Sequence, residues 1–291
     1  MIPGIVASRV FQATFAGIWT ALGSSFAAAS GNPVEVCELN ATDIAYIDAG
    51  TDALRTYRFN GSTWSQVGNA LALSPAPVTP KFAMARLSAT RIAIADSDIT
   101  RLQAYYWDGT YWVKVGTQAY PGVTVFKTVG MTGLNSTDIA LIHETDTLET
   151  WSFNGSTWSK IGNGLSVPDF VNGAGAGLTS STIALIPGYF NPILRTYSWN
   201  GTNWTTVGNG LDLGAASINV VRMTALTPSR VAVHDVISDT LRAYDWDGTD
   251  WSQIGASLSV VNTGLINGLA SLTSNTVAHV NANILQTYKL T

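Results

Sequence analysis

Five stretches of the chain repeat one order of hydrophobic and polar positions. Each opens with a leucine and a polar turn, runs through two short aliphatic and aromatic segments, and ends in Asn or Asp, Gly, Ser or Thr, and tryptophan. The first stretch reads LNATDIAYID and then LRTYRFNGSTWSQVG, and the others begin at Leu87, Leu134, Leu178 and Leu226. Short alternating segments bounded by Asn, Asp and Gly predict β-strands joined by tight turns. An all-β fold is therefore expected.

The first block shows where the strands fall. One strand ends at Leu39, and the runs 44–47, 54–59 and 63–67 predict the second, third and fourth strands. The position two places before each block leucine holds a small residue, as expected where the innermost strands converge on an axis. These residues are Cys37, Ala85, Thr132, Ala176, Thr224 and Ala270.

The Asn60-Gly61 pair predicts a two-residue hairpin turn between the third and fourth strands, because both central residues of such a turn need positive φ. With this turn Tyr57 lies opposite Trp64, and each block gains an aromatic pair across the two strands. The same count places Tyr288 opposite Trp19 where the chain closes on itself.

The block leucines stand 44 to 48 residues apart, which is the size of a propeller blade. A sixth block starts at Leu272 and ends before its fourth strand, and residues 15–23 repeat the glycine and tryptophan pattern of the missing strand. The chain is therefore predicted to be a six-bladed β-propeller with four-stranded blades, its last blade closed by the N-terminal strand.

The predicted propeller spans residues 15–291. Strand D of blade 6 is assigned to 15–23, blades 1–5 to about 34–262, and strands A–C of blade 6 to about 266–291. Residues 1–14 are left as an N-terminal arm. Residues 10–29 also have the look of a secretory signal peptide, but Gly17, Trp19 and Gly23 follow the repeat.

The composition of the chain excludes some classes of binding partner. Charged residues make up 12% of the chain and the formal net charge is -4, without the clusters of Lys and Arg that phosphate binding needs. A nucleic-acid partner is therefore not expected. Membrane insertion is not expected either, because polar residues interrupt the apolar N-terminal run. The single cysteine, Cys37, leaves stability to packing.

The sequence contains few of the residue arrangements that catalysis requires. The chain has three histidines, no His/Cys spacing typical of a metal site, no Gly-x-Ser-x-Gly elbow and no phosphate-binding loop. We therefore expect a non-enzyme without cofactor, metal or catalytic residues.

Two sets of residues are candidates for ligand binding. The repeated tryptophans suit either sugar stacking or packing, and their presence in every blade favours packing. At the end of the second strand the blades carry polar residues that suit either a ligand or the capping of the following turn. These residues are Asp48, Asp96, His143, Asp235 and Asn281, with Pro187 at the sixth position.

The connections between strands B and C, and between blades, vary in length and emerge on one side of a propeller, which makes that side the expected ligand face. The longest B–C connection places Tyr189 and Phe190 at its tip. Both aromatic residues are candidate anchors, with folding back onto the blade as the alternative.

Two resemblances bear on function. The Tyr-x6-Trp spacing of Tyr57 and Trp64 resembles the kelch repeat, although the kelch Gly-Gly doublet is absent from every block. The opening residues Pro3-Gly4-Ile5-Val6-Ala7-Ser8 resemble the start of virion proteins of tailed bacteriophages. This second resemblance implies a tail, fibre or capsid-surface protein that attaches through its N-terminal arm.

The leading hypothesis is a structural or binding protein of a bacteriophage virion that contacts host surface glycans or neighbouring virion subunits. The alternative is a secreted, extracellular lectin-like propeller that binds carbohydrate. A propeller glycosidase is the third hypothesis. Loop carboxylates such as Asp98, Glu144 and Asp239 are the groups that could pair for hydrolysis, and the simplest version of the hypothesis uses Asp96 and Asp235.

Overall fold

A computed structural model shows six four-stranded antiparallel sheets arranged as a ring, which is a six-bladed β-propeller. It describes residues 17–28, 33–48, 51–73, 82–96, 101–121, 130–143, 146–170, 172–188, 191–214, 221–260, 267–281 and 284–291. The predicted arm at residues 1–14 lies outside these ranges. Within them no helix offers the length and apolarity needed to cross a lipid bilayer.

Blades 1 to 5 are each built from four consecutive strands, named A to D from the axis outward. Blades 1 and 2 contain β2 (Pro33–Glu38), β3 (Asp43–Asp48), β4 (Ala53–Phe59), β5 (Trp64–Ala72), β6 (Phe82–Ser88), β7 (Arg91–Asp96), β8 (Arg101–Trp107) and β9 (Trp112–Ala119). Blade 3 contains β10 (Gly130–Gly133), β11 (Asp138–His143), β12 (Thr147–Phe153) and β13 (Trp158–Ser166).

The remaining blades follow the same order. Blades 4 and 5 contain β14 (Asn172–Thr179), β15 (Thr182–Gly188), β16 (Ile193–Trp199), β17 (Trp204–Asp212), β18 (Val221–Thr227), β19 (Arg230–Asp235), β20 (Thr240–Trp246) and β21 (Trp251–Ser259). Blade 6 contains β22 (Asn267–Thr273), β23 (Thr276–Asn281), β24 (Ile284–Leu290) and, as its outermost strand, β1 (Trp19–Ala27).

The two ends of the chain close the ring, as predicted. Strand β1 pairs antiparallel with β24, and two backbone hydrogen bonds of 3.0 and 2.9 Å join Ile18 to Thr291. The observed bounds of β1 differ from the predicted 15–23. The innermost strands contact each other around the whole circle, so blade 6 lies against both blade 5 and blade 1.

The predicted C–D hairpin register is wrong by two residues. Phe59 lies opposite Trp64, and Tyr57 lies opposite Gln66, because four residues form the loop. Asn60 does not adopt positive φ; its side-chain oxygen accepts hydrogen bonds of 2.9 Å from the backbone N–H groups of Ser62 and Thr63. This side-chain cap stabilises a longer loop than the backbone propensity alone predicts.

Each of blades 1 to 5 has an aromatic pair across its C–D hairpin, but the two residues that pair are not the ones predicted. Their ring centroids lie 5.0 to 5.3 Å apart in Phe59–Trp64, Trp107–Trp112, Phe153–Trp158, Trp199–Trp204 and Trp246–Trp251. In blade 6 the same register places Trp19 opposite Leu290 instead of Tyr288.

Each C–D loop also docks on the outer strand of the preceding blade. The Asn69 N–H, which follows Gly68 with φ +64°, donates a 2.8 Å hydrogen bond to the Thr110 carbonyl of the next blade. Four further blade junctions repeat this bond, with donors Ser24, Thr117, Asn163 and Asn209. At the junction of blades 5 and 6, Gly255 and Gly17 meet so closely that a Cβ on either would overlap the other's backbone.

The core consists of six apolar clusters, each shared by two neighbouring blades. The repeated tryptophans are buried in these clusters. Four of them donate a 2.9 Å hydrogen bond from Nε1 to a threonine hydroxyl of the preceding blade: Trp64 to Thr287, Trp112 to Thr56, Trp204 to Thr150 and Trp251 to Thr196. The tryptophans therefore hold blades together and do not form exposed stacking surfaces.

Candidate functional site

The polar residues predicted at the end of the second strands do lie there. Asp48, Asp96, His143, Asp235 and Asn281 are the last residues of β3, β7, β11, β19 and β23. Apart from His143, whose position in the backbone alone is described, these side chains are buried, with 0 to 6% of their surface exposed.

Contacts inside each blade occupy the three aspartates. Asp235 accepts hydrogen bonds from the Ile237 and Ser238 N–H groups and from the Ser238 hydroxyl, which is turn capping. Asp48 accepts a 2.7 Å hydrogen bond from the Thr51 hydroxyl, and Asp96 pairs with Arg101 at 3.2 Å. Capping and local pairing explain these residues, and their role in ligand binding stays a prediction.

The candidate anchors Tyr189 and Phe190 lie outside the described residues. No group of three or more His, Cys, Asp or Glu side chains within the described ranges has the spacing to hold a metal ion. The chemistry available for recognition therefore has to be sought on the exposed surface.

The outer strands of blade 2 expose a group of apolar side chains. Tyr106 is 40% exposed, Tyr111 is 56% exposed and Val113 is 48% exposed. Tyr106 and Val113 lie opposite each other on β8 and β9 and so share one face of the sheet, and Tyr111 is the last residue of the C–D loop, two residues before Val113. These three exposed side chains at the loop end of the hairpin are named here the tyrosine patch.

The tyrosine patch is specific to blade 2. The three corresponding positions are mostly polar in the other blades, where they hold Arg58, Thr63 and Ser65; Ser152, Thr157 and Ser159; Ser198, Asn203 and Thr205; Asp245, Asp250 and Ser252; and Lys289, Ile18 and Thr20. Since these polar sets occupy the same backbone geometry, the fold does not require tyrosine there. An apolar patch without a structural requirement is a candidate binding surface.

Arg91 extends the patch by one strand. It lies on β7 opposite Tyr106, and its guanidinium carbon lies 6.0 Å from the centre of the Phe153 ring of blade 3. Its Nε–H is buried without a hydrogen-bond partner among the described residues. The patch therefore combines two aromatic rings with a neighbouring guanidinium group.

The same strand pair is used differently in blade 1. There Arg58 forms two hydrogen bonds of 2.7 and 2.6 Å with the Asp43 carboxylate. Burial raises the pKa of this carboxyl, but the hydrogen bonds from Arg58, Asn40 and Thr42 outweigh burial and lower the pKa below its ordinary value. Arg230 and Asp245 form the corresponding pair in blade 5. Blade 2 has Tyr106 in place of a partner for its arginine.

Sequence reasoning missed this patch because it looked for what the repeats share. The second-to-last residue of strand C is Arg58, Tyr106, Ser152, Ser198, Asp245 and Lys289 in blades 1 to 6. Tyr106 is the one aromatic residue at this position, and a residue that differs in this way from its counterparts indicates a site within a repeat.

No protein-family model matches the chain, and no curated protein matches it significantly. Solved structures with a similar fold include the lectin SapL1 in complex with α-methyl fucoside. It has 14% sequence identity and a TM-score of 0.57, and the match covers 89% of this chain and 96% of the lectin.

Two other similar structures are of proteins of different kinds. A virginiamycin B lyase from Staphylococcus aureus has 6% identity and a TM-score of 0.62, with 94% of this chain and 100% of the lyase covered. YCF48 bound to a D1 peptide has 12% identity and a TM-score of 0.54, with 92% and 97% covered. At these identities the similarity shows the propeller fold and nothing more specific.

Proposed function

We propose that this chain is a non-enzymatic propeller that binds a neutral carbohydrate at the tyrosine patch of blade 2. The observation that carries the proposal is the exposure of Tyr106, Tyr111 and Val113 at positions that are mostly polar in the other five blades.

The chemistry of the patch suits a sugar ring. One face of a pyranose presents C–H groups, which pack on an aromatic ring, while its hydroxyls need donors and acceptors nearby. The tyrosine rings supply the apolar surface, and the tyrosine hydroxyls and Arg91 supply hydrogen-bonding groups. The low charge of the chain, at 12% Asp, Glu, Lys and Arg, favours a neutral ligand over a charged one.

The size of the patch also favours a small ligand. An aromatic side chain offers roughly 200 Å², so three half-exposed side chains present roughly 250 Å². A stable protein interface needs roughly 800 Å² from each partner. A sugar residue matches the available area, and a folded protein does not. The likeness to a fucoside-binding lectin is consistent with this choice at the level of the fold.

Glycan-array binding of the wild-type propeller and of the triple variant Tyr106→Ser/Tyr111→Thr/Val113→Ser tests the proposal. The variant gives blade 2 the residues that blade 3 carries at the same positions, so the fold should be retained. We expect at least a tenfold loss of affinity for the glycans that wild type binds, because the aromatic surface is removed.

Tyr120→Ser is the matched control, since Tyr120 is 60% exposed in the same blade but outside the patch. The reverse exchange, Ser152→Tyr/Thr157→Tyr/Ser159→Val, should create a second, weaker site on blade 3, where Asp138 stands at the position of Arg91, and raise binding to multivalent glycans. Unchanged binding by the triple variant, or no glycan bound by wild type, would contradict the proposal.

A second proposal concerns where the propeller works. The resemblance of residues 3–8 to the start of phage virion proteins supports display on a virion, with the N-terminal arm as the point of attachment. Mass spectrometry of purified particles from the source should detect the chain. Its absence from particles, together with free protein outside cells, would favour the secreted lectin-like alternative.

A further inference from the structure

Two histidines form a buried pair between blades 5 and 6. His234 on β19 is fully buried and His279 on β23 is 2% exposed. The Nε2 atom of His279 lies 3.3 Å from Nδ1 of His234, and the ring centres are 4.4 Å apart in an edge-to-face arrangement. One ring therefore donates a hydrogen bond to the other, which requires the accepting nitrogen to be unprotonated.

The repeat shows that the fold does not need these histidines. The position of His234 holds Ile47, Ala95, Ile142, Ile186 and Val280 in the other blades. The position of His279 holds Tyr46, Ile94, Leu141, Leu185 and Val233. The interface between blades 5 and 6 thus has two titratable rings where the other blade interfaces have mainly aliphatic packing.

The surroundings offer little to balance an added positive charge. Arg222 lies opposite His234 on β18, and Leu241 lies opposite it on β20. Tyr288 on β24 packs 6.0 Å from the His279 ring, and Gln286 lies opposite His279 on the same strand. The His234 Nε2 atom is buried, and no residue within the described ranges forms a hydrogen bond with it. Glu35 of blade 1 interacts electrostatically with Arg222, but burial raises its own pKa to about 7.

This environment favours neutral imidazoles. Burial, then the charge of Arg222, lowers the pKa of His234 to about 4, and burial, then His234, lowers the pKa of His279 to about 3. An exposed histidine titrates near pH 6.5. The histidine pair therefore binds fewer protons in the closed interface than in the open one, and its contribution to stability, complete above pH 6.5, falls as the pH drops from 6.5 towards 4.

Protonation also removes the contact itself. When both rings carry two N–H groups, two donors face each other at 3.3 Å with no acceptor between them. A buried, doubly charged pair beside Arg222 then brings three positively charged groups close together. Separation of blades 5 and 6 hydrates both rings and relieves the repulsion.

We propose that the interface between blades 5 and 6 is an acid-sensitive closure of the ring, which opens when His234 and His279 take up protons. It lies next to β1 and β24, the strands that join the two ends of the propeller. Mild acid therefore loosens the blade that is assembled from both ends of the chain.

Hydrogen exchange followed by mass spectrometry at pH 7 and pH 5 tests this, with protection factors that correct for the intrinsic pH dependence of exchange. Peptides from β19 and β23 should lose protection, with the opening equilibrium rising by up to roughly 500-fold for two groups with these pKa values. Peptides from β7 and β11, at the interface of blades 2 and 3, should change far less.

The double variant His234→Ile/His279→Val carries residues that other blades use and should lose the acid response. His143→Gln changes the third histidine and should keep the response. Equal loss of protection at both interfaces in wild type would overturn the proposal without any variant. So would an unchanged acid response in the double variant.

Discussion

The interface between blades 1 and 2 and the interface between blades 5 and 6 use the same backbone geometry with different side chains. In the first, Trp112 donates its Nε1–H to the Thr56 hydroxyl at 2.9 Å. In the second, Trp19 has the equivalent position, but Ala243 replaces the threonine, and the indole N–H has no partner in the described part of the chain. The same loss occurs between blades 2 and 3, where Trp158 faces Ala104.

The difference shows which parts of the repeat build the ring and which are free to change. The glycine contacts at the rim are present at both interfaces. The tryptophan hydrogen bond and the aliphatic inner layer are present only at the interface of blades 1 and 2 of these two. A buried donor without a partner weakens an interface. The interface of blades 5 and 6 thus lacks the tryptophan hydrogen bond, as the interface of blades 2 and 3 does, and the two buried histidines also lie at the interface of blades 5 and 6.

The largest effect is expected from breaking the rim contact at the interface of blades 1 and 2. In Gly68→Ala, the residue keeps φ +64° and its Cβ would lie 2.4 Å from the Thr110 carbonyl oxygen. We expect the free energy of unfolding to fall by about 4 kcal/mol, from the combined cost of the left-handed backbone and the overlap. Equilibrium denaturation in urea measures this loss.

Gly61→Ala is the control for that variant. Gly61 has φ +97°, but nothing lies within 4 Å of the added Cβ. Its expected cost is therefore the backbone contribution alone, about 1 to 2 kcal/mol. Equal losses for the two variants would show that the contact between blades contributes nothing.

A smaller effect should follow from making the interface of blades 1 and 2 resemble the closing one. Thr56→Val keeps the shape of the side chain but removes the acceptor for Trp112. We expect a loss of about 1 to 3 kcal/mol, because a buried indole N–H is left unpaired. Thr56→Ser retains the hydroxyl and should lose clearly less in the same denaturation experiment.

The smallest effect, and a gain, is expected from the opposite change. Ala243→Thr offers Trp19 the hydroxyl that four other tryptophans use, so we expect the free energy of unfolding to rise by about 1 kcal/mol. Ala243→Val adds similar volume without an acceptor. A gain as large in the valine variant would assign the effect to packing instead of the hydrogen bond.

Much of the fold was predictable because the residues that repeat along the chain are those that pack the blades together. The spacing of the block leucines, the missing strand after Leu272 and the tryptophan near residue 19 predicted six blades and their closure correctly. The hairpin register was wrong because Asn60 was assigned a backbone role, whereas its side chain caps a four-residue loop. Local propensity does not separate these two uses of asparagine.

The site was harder to predict for a related reason. Asp48, Asp96 and Asp235 are candidates because they recur at strand ends; the structure shows their contacts with residues of the same blade, and their role in ligand binding stays a prediction. Tyr106 and His234 depart from their repeats, and their meaning depends on which neighbours they meet across a strand or a blade. That information lies in the three-dimensional arrangement and not in the local sequence.

The pairing of β1 with β24 sets an order of events during synthesis. Strand β1 leaves the ribosome before any other strand described here, and its partner is made last. Blades 1 to 5 consist of consecutive strands and can form as they emerge, while β1 waits with an unpaired edge. Until Leu290 has been synthesised, the face of Trp19 that is buried in the folded propeller stays exposed to other molecules in the cell.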